Sequence, residues 1–154
     1  TTVIRIHFFI HSSMFVTLFL GILDVRTGEV EYCNGGHNPP YLLRWEADAK
    51  PLESTRGIAL GVLETAVYHS NKIILRKGDS LFLYTDGATE AMNSEEALFT
   101  EKRLLVELGF LKGEGIRDIV CKVKEKIRSF SEGAPQADDI TIMALRYFGD
   151  MRNS

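Results

Sequence analysis

The chain has two cysteines, four prolines and one tryptophan in 154 residues, and no excess of basic charge. Cys33 and Cys121 stand 88 positions apart, with no CxxC pair and no Cys/His zinc spacing, which removes a disulfide framework and a structural zinc site. Both read as buried thiols of a reducing, cytoplasmic compartment. With 18 Lys+Arg against 21 Asp+Glu, the net charge of −3 lacks the basic excess from which a nucleic-acid binder draws its affinity, so no nucleic-acid partner is expected. No P-loop, GxGxxG or GxSxG occurs, which leaves phosphate cradling and serine-nucleophile chemistry without a motif. Repeats, low-complexity tracts and linkers are missing as well. What is present is 45% hydrophobic and 25% charged, enough apolar material for one domain over 1–154.

The longest apolar stretch, residues 3–23, approaches the ~20 residues of a membrane span. Arg5, His7 and His11 interrupt its first half, and Asp24 and Arg26 close it. No basic start or small-residue cleavage site accompanies it. It is expected to be buried core rather than a membrane insertion.

Residues 14–24 (MFVTLFLGILD) are β-branched and aromatic on both faces, the pattern of a strand covered on both sides. Arg26-Thr27-Gly28 supplies a tight turn, and residues 29–34 return as a second strand of a hairpin. Gly35-Gly36-His37-Asn38-Pro39-Pro40 breaks regular structure before a strand over 41–45. Residues 46–55, with Pro51, read as an exposed connection, and 57–62 as a glycine-bounded apolar loop or short strand. Strands over 69–76 and 79–85 flank Lys77-Gly78, which signals a second hairpin. Helices follow over 101–111 and 115–130. In the longer one Ile116, Ile119, Val120, Val123, Ile127 and Phe130 form a stripe of helical period, opposite a solvated face of Lys122, Lys124, Glu125, Lys126 and Arg128. Residues 139–147 make a last strand. Antiparallel strands with a late helical pair predict an α+β fold.

Chemistry is expected where core strands end. The strand over 80–85 stops at Thr85-Asp86-Gly87, and Ala137-Asp138-Asp139 immediately precedes the strand 140–145. Such a placement holds carboxylates rigidly, and neighbouring carboxylates repel unless a cation neutralises them. Oxygen ligands of this kind suit Mg²⁺ or Mn²⁺. Taken alone, Asp-Gly is more often a turn and Asp-Asp before a strand more often a capped loop. The Gly35–Pro40 string has two readings. One is a structural loop whose His37 and Asn38 bond to backbone; the other is a cleft lining with His37 near a phosphoryl group. Antiparallel pairing of the strands before Asp86 and after Asp138 would bring these residues, 52 positions apart, to one sheet edge, within reach of a common ion.

The ordered set Met14-Phe15-Val16-Thr17-Leu18-Phe19, Asn34-Gly35-Gly36-His37-Asn38-Pro39-Pro40, Leu60-Gly61-Val62, Gly78-Asp79, Tyr84-Thr85-Asp86-Gly87, Glu90-Ala91 and Ala137-Asp138-Asp139-Ile140-Thr141 resembles one family. It is similar to the PPM-type (2C-like) metal-dependent protein serine/threonine phosphatases, in the bacterial branch named for the stage II sporulation protein E. The likeness runs from about residue 14 to 147. It implies an antiparallel β-sandwich flanked by helices, with a two-metal Mn²⁺ or Mg²⁺ site. It also implies hydrolysis of phosphoserine or phosphothreonine on a partner protein by a metal-bound water, in the manner of a signal-transduction enzyme. Asp86 and Asp138 resemble metal ligands of that site, and Asp139 a supporting one. Gly87 and the loop residues Gly35, Gly36, His37 and Asn38 resemble its surroundings, with no catalytic role carried onto His37. Substrates in the family are often regulators of the anti-sigma-antagonist type.

One part of the pattern is missing. The family places a Gly-Asp-Val-x-Gly-Lys-Gly-like segment, whose Asp bridges both metals, before the MFVT strand, and nothing similar stands between Thr1 and Ser13. The chain therefore reads as the C-terminal portion of a phosphatase domain, incomplete on its N-terminal side. Sheet edges left exposed by such a portion predict a homodimer or poor solubility. The rival reading is a non-catalytic partner-binding module on the same fold, inactive for want of the bridging Asp.

Overall fold

The computed structural model describes residues 3–4, 14–136 and 138–150. In chain order the elements are β1 (Val3–Ile4), β2 (Leu18–Leu23), β3 (Glu29–Gly35), β4 (Tyr41–Leu43), β5 (Lys50–Pro51), β6 (Tyr68–His69), β7 (Asn71–Ile74), β8 (Ser80–Tyr84), α1 (Asp86–Thr89), α2 (Thr100–Leu111), α3 (Ile116–Phe130) and β9 (Ile142–Arg146). Every strand pair is antiparallel, so the expected α+β class with antiparallel sheets is what the chain forms. The described residues fall into two compact units, one within 1–39, 52–77 and 148–150, the other within 40–51 and 78–147.

The first unit holds a three-stranded sheet in the order β2-β3-β7 and the two-stranded pair β1-β6. Its β2–β3 hairpin closes as expected through Gly28, whose φ of 76° few other residues adopt, with the Gly28 amide donating to the Asp24 carbonyl at 2.8 Å. Val30 and Tyr32 bury one face of β3, and Phe19 stacks on Tyr32 with centroids 5.8 Å apart. Cys33, Leu60 and Tyr68 form a separate small cluster, and burial raises the Cys33 thiol pKa above its ordinary value.

The expectation that residues 3–23 are buried core needs correction. Residues 5–13, with His7 and His11, lie outside the described residues, but Phe15, Leu20 and Ile22 are 64%, 40% and 66% exposed. Among the described residues β2 is the edge strand of its sheet, and Ile22 stands opposite Glu31, whose own neighbour in β7 is Lys72. The ion pair of Lys72 and Glu31, at 3.7 Å, is its company on that face.

The second unit is the larger core. Its sheet runs β5-β4-β8-β9, with Tyr84 opposite Ile142 and Ser80 opposite Arg146. The stripe on α3 works as its period predicts: Ile119, Val123 and Ile127 are fully buried against Phe82, Leu104 and Leu108, each burial worth about 1.5–3 kcal/mol. The residues opposite (122, 124, 125, 126 and 128) are exposed, as expected. Cys121 shares that exposed side, so only one of the two thiols is buried. Tyr84 stacks on Tyr41 at 5.5 Å and donates to a Glu101 carboxylate oxygen at 3.3 Å; burial, with Tyr41 and Glu101 beside it, pushes its hydroxyl pKa far up.

The second hairpin expected around Lys77-Gly78 does not form. Gly78 turns the chain with φ 95°, but β7 pairs with β3, from Glu29 opposite Ile74 to Tyr32 opposite Asn71. β8 has β4 on one edge and β9 on the other, so neither edge is open to β7.

Candidate functional site

Thr85 fixes the end of β8. Its amide donates to the Thr141 carbonyl at 3.1 Å, its hydroxyl donates to the Asp139 carbonyl at 3.1 Å, and the same oxygen accepts from the Thr141 amide at 3.0 Å. Three bonds thus join the exit of β8 to the entry of β9, and the expected antiparallel pairing puts Asp86 and Asp138–Asp139 at one sheet edge. A glycine is required next. A Cβ on Gly87 would overlap the Asp139 carbonyl oxygen, so the chain approaches this closely only because position 87 has no side chain.

Asp86 does not sit in the turn that Asp-Gly suggests. It opens the one-turn helix α1, with Thr85 extended at its N-cap, and Gly87, Ala88 and Thr89 are buried. Asp86 Oδ1 accepts from the Gly87 amide at 3.0 Å, and its carbonyl accepts from the Thr89 hydroxyl at 3.1 Å. Asp138 Oδ1 accepts from the Asp139 amide at 2.7 Å, while the Gln136 side chain donates to the Asp138 carbonyl at 2.8 Å. The carboxylates of Asp86, Asp138 and Asp139 are exposed, and among the described residues none of them pairs with a cation. Hard oxygen donors with open lone pairs, held beside one another by backbone, suit Mg²⁺ or Mn²⁺ in kind. In number they fall short: no group of three His, Cys, Asp or Glu able to hold a metal occurs among the described residues. The donor set fits part of a hard-cation site.

The loop of Gly35, Gly36, His37 and Asn38 belongs to the first unit and is built differently. The Asn34 side chain clamps it, accepting from the His37 amide at 2.7 Å and donating to the His37 carbonyl at 2.8 Å. The Thr55 hydroxyl accepts from the Asn34 amide at 2.9 Å, and His37 Nδ1 lies 3.1 Å from the Thr17 hydroxyl. Across from it, a Cβ on Gly57 would overlap the Asn34 carbonyl, and one on Gly36 would meet the Ala59 amide nitrogen at 2.7 Å. These glycines permit backbone to pack on backbone. The side chain that bonds the loop's backbone is Asn34, and the His37 ring meets the Thr17 hydroxyl rather than backbone.

A groove of about 1280 Å³ opens in the second unit beside Gly87 and Asp138. Val120, Lys124, Ile127 and Arg128 of α3 are among the residues that line it. Two kinds of residue here were not singled out by sequence reasoning. Thr85 was legible only as part of a motif, although a β-branched hydroxyl at a strand end was the available signal. Lys124 and Arg128 were read as solvated face.

Comparison with known proteins follows the same outline. The family model described as Stage II sporulation protein E (SpoIIE) matches residues 5–148. The chain is 33% identical over 135 residues to Protein IcfG of Synechocystis sp., covering 86% of this chain and 21% of that protein. It is 27% identical over 144 residues to Phosphoserine phosphatase RsbU of Bacillus subtilis, covering 89% and 40%. The chain thus spans about a fifth and two-fifths of these curated relatives. Among solved structures, the phosphatase domain of the cell fate determinant SpoIIE from Bacillus subtilis, presoaked with Mn, superposes with a TM-score of 0.65 at 19% identity, over 84% of this chain and 56% of that one.

Proposed function

The chain belongs to the stage II sporulation protein E family and has the fold of its PP2C-type phosphatase domains, and from that premise we propose that it is the later part of a metal-dependent protein serine/threonine phosphatase. The observation that carries this reading is the stitched β8–β9 edge, which presents Asp86 and Asp138 together with carboxylates committed to no cation among the described residues. Asp86 and Asp138 would hold Mn²⁺ or Mg²⁺, with Asp139 in support. When bound, such an ion neutralises charge on the phosphoryl oxygens and lowers the pKa of a water, the two needs of phosphate-ester hydrolysis at neutral pH. The chain's own contribution is positional. Thr85 and the Gly87 approach keep the carboxylates at one edge, and the Gly35–Asn38 loop is scaffold.

The substrate is a phosphoserine or phosphothreonine protein of a cytoplasmic regulatory pathway, of the anti-sigma-antagonist type that the family resemblance implies; the relative named a phosphoserine phosphatase supports the phosphoserine part of this alone. Association of two copies is supported by the exposed apolar side chains of edge strand β2, and a monodisperse monomer by light scattering at high concentration counts against it.

The test is phosphate release from a phosphoserine peptide by the intact protein, with and without Mn²⁺. Release should need the metal and fall at least ~100-fold in Asp86→Asn, because loss of one ligand charge removes electrostatic stabilisation of the transition state. Hydrolysis that survives both chelation and the substitution overturns the reading. Metal-independent binding of a partner with no hydrolysis at all selects the binding-module alternative.

A further inference from the structure

Of the five cations of helix α3, the four after Arg117 stand at alternate positions, 122 to 128, and divide into two pairs. Lys122 and Lys126, one turn apart, are ion-paired, with Glu114 at 2.8 Å and Glu107 at 3.6 Å. Lys124 and Arg128, one turn apart on the other side, line the groove beside Asp138 and Gly87, and among the described residues neither makes an ion pair. Both are exposed, so their charges are available to a ligand. Glu90, Glu125 and Glu132 also border the groove, and none is paired with them. The groove therefore holds uncommitted charge of both signs. Glu125 and Glu132 stand near Lys124 and Arg128 in the chain, and these two are the cations of the lining, where an anionic group of a ligand would be met.

We propose that Lys124 and Arg128 form a specificity site for acidic residues flanking the phosphorylated side chain of the protein substrate. This rests on the phosphatase reading, and it adds a selection of sequence around the phosphate. The geometry suits a peptide strand: residues i and i+4 of a helix lie side by side, so two successive anionic side chains can be met from one face. Complementary charge of this kind acts on encounter and choice of partner, weakens with salt, and leaves a small substrate without flanks unaffected.

The probes are two fluorescent phosphoserine peptides, identical but for Glu or Gln on either side of the phosphoserine, bound to the intact protein at low salt and followed by anisotropy. The wild type should bind the Glu peptide roughly fivefold more tightly, the size expected of two exposed ion pairs. The pair Lys124→Glu/Arg128→Glu should abolish or reverse that preference, while Lys122→Glu/Lys126→Glu, of equal net charge, should keep it. Equal affinities in the wild type, a preference retained in the first pair, or equal loss in both pairs overturns the proposal. Hydrolysis of p-nitrophenyl phosphate with Mn²⁺, unchanged in the first pair, reads the chemistry separately. No hydrolysis with the preference intact defeats the phosphatase reading alone; hydrolysis without the preference defeats the specificity site alone.

Discussion

The β8–β9 edge and the Gly35–Asn38 loop are both glycine-assisted, polar and placed at the end of a strand, yet they use their polar groups in opposite ways. The loop spends them on itself: Asn34 bonds both the amide and the carbonyl of His37, and Thr55 bonds Asn34. At the edge, backbone and the Thr85 hydroxyl do the fastening, and three carboxylates are left facing solvent with no cation partner among the described residues. A motif whose side chains close their own bonds is a scaffold. One whose side chains are held by others and left open is where a ligand can bind.

The largest effects should come from breaking the two regions in kind. Asp86→Asn should remove nearly all hydrolysis while leaving the urea midpoint almost unchanged, since its carboxylate makes only a local bond to the Gly87 amide. Gly57→Ala should do the reverse, costing about 3 kcal/mol or more in urea unfolding, because the added methyl overlaps the Asn34 carbonyl and two backbones must separate. An active, stable Gly57→Ala protein would show that the loop is not tightly built.

Thr85→Val tests how the edge is held. It keeps the shape but removes a donor to Asp139 and an acceptor for the Thr141 amide, for a loss of about 1–3 kcal/mol. It should also weaken Mn²⁺ binding, a readout that a purely structural hydroxyl would not move. The smallest effect belongs to His37→Ala. The side chain contributes one exposed bond to Thr17, so stability should fall by about 1 kcal/mol or less, with hydrolysis within a few-fold of wild type. A hundredfold loss there would return the loop to the catalytic machinery.

The long elements were readable because periodicity is a property of many residues at once. Ile119, Val123 and Ile127 repeat at helical spacing and are buried; the strands flanking the carboxylates are apolar runs whose only consistent pairing is antiparallel. The failures are local signals overruled by distant partners. Lys77-Gly78 is a good turn, but which strand pairs with which is decided by free edges, and β8 has none for β7. Asp86-Gly87 resembles a turn because a four-residue helix is too short to show a period. The exposure of Ile22 accompanies a position opposite the Glu31–Lys72 row, which composition alone does not reveal. The candidate carboxylates were visible from their place at strand ends. The groove residues Lys124 and Arg128 were not, because their availability depends on which neighbouring cations are already paired.

The central claim is that Asp86 and Asp138 serve one ion together. Calorimetric titration of the intact protein with Mn²⁺ measures this directly, using wild type, Asp86→Asn, Asp138→Asn and the double variant. If both carboxylates bind the same ion, each single substitution should weaken binding nearly as much as the pair, since either loss leaves an incomplete ligand set. Binding losses that simply add, or Mn²⁺ binding that neither substitution changes, would contradict a shared site.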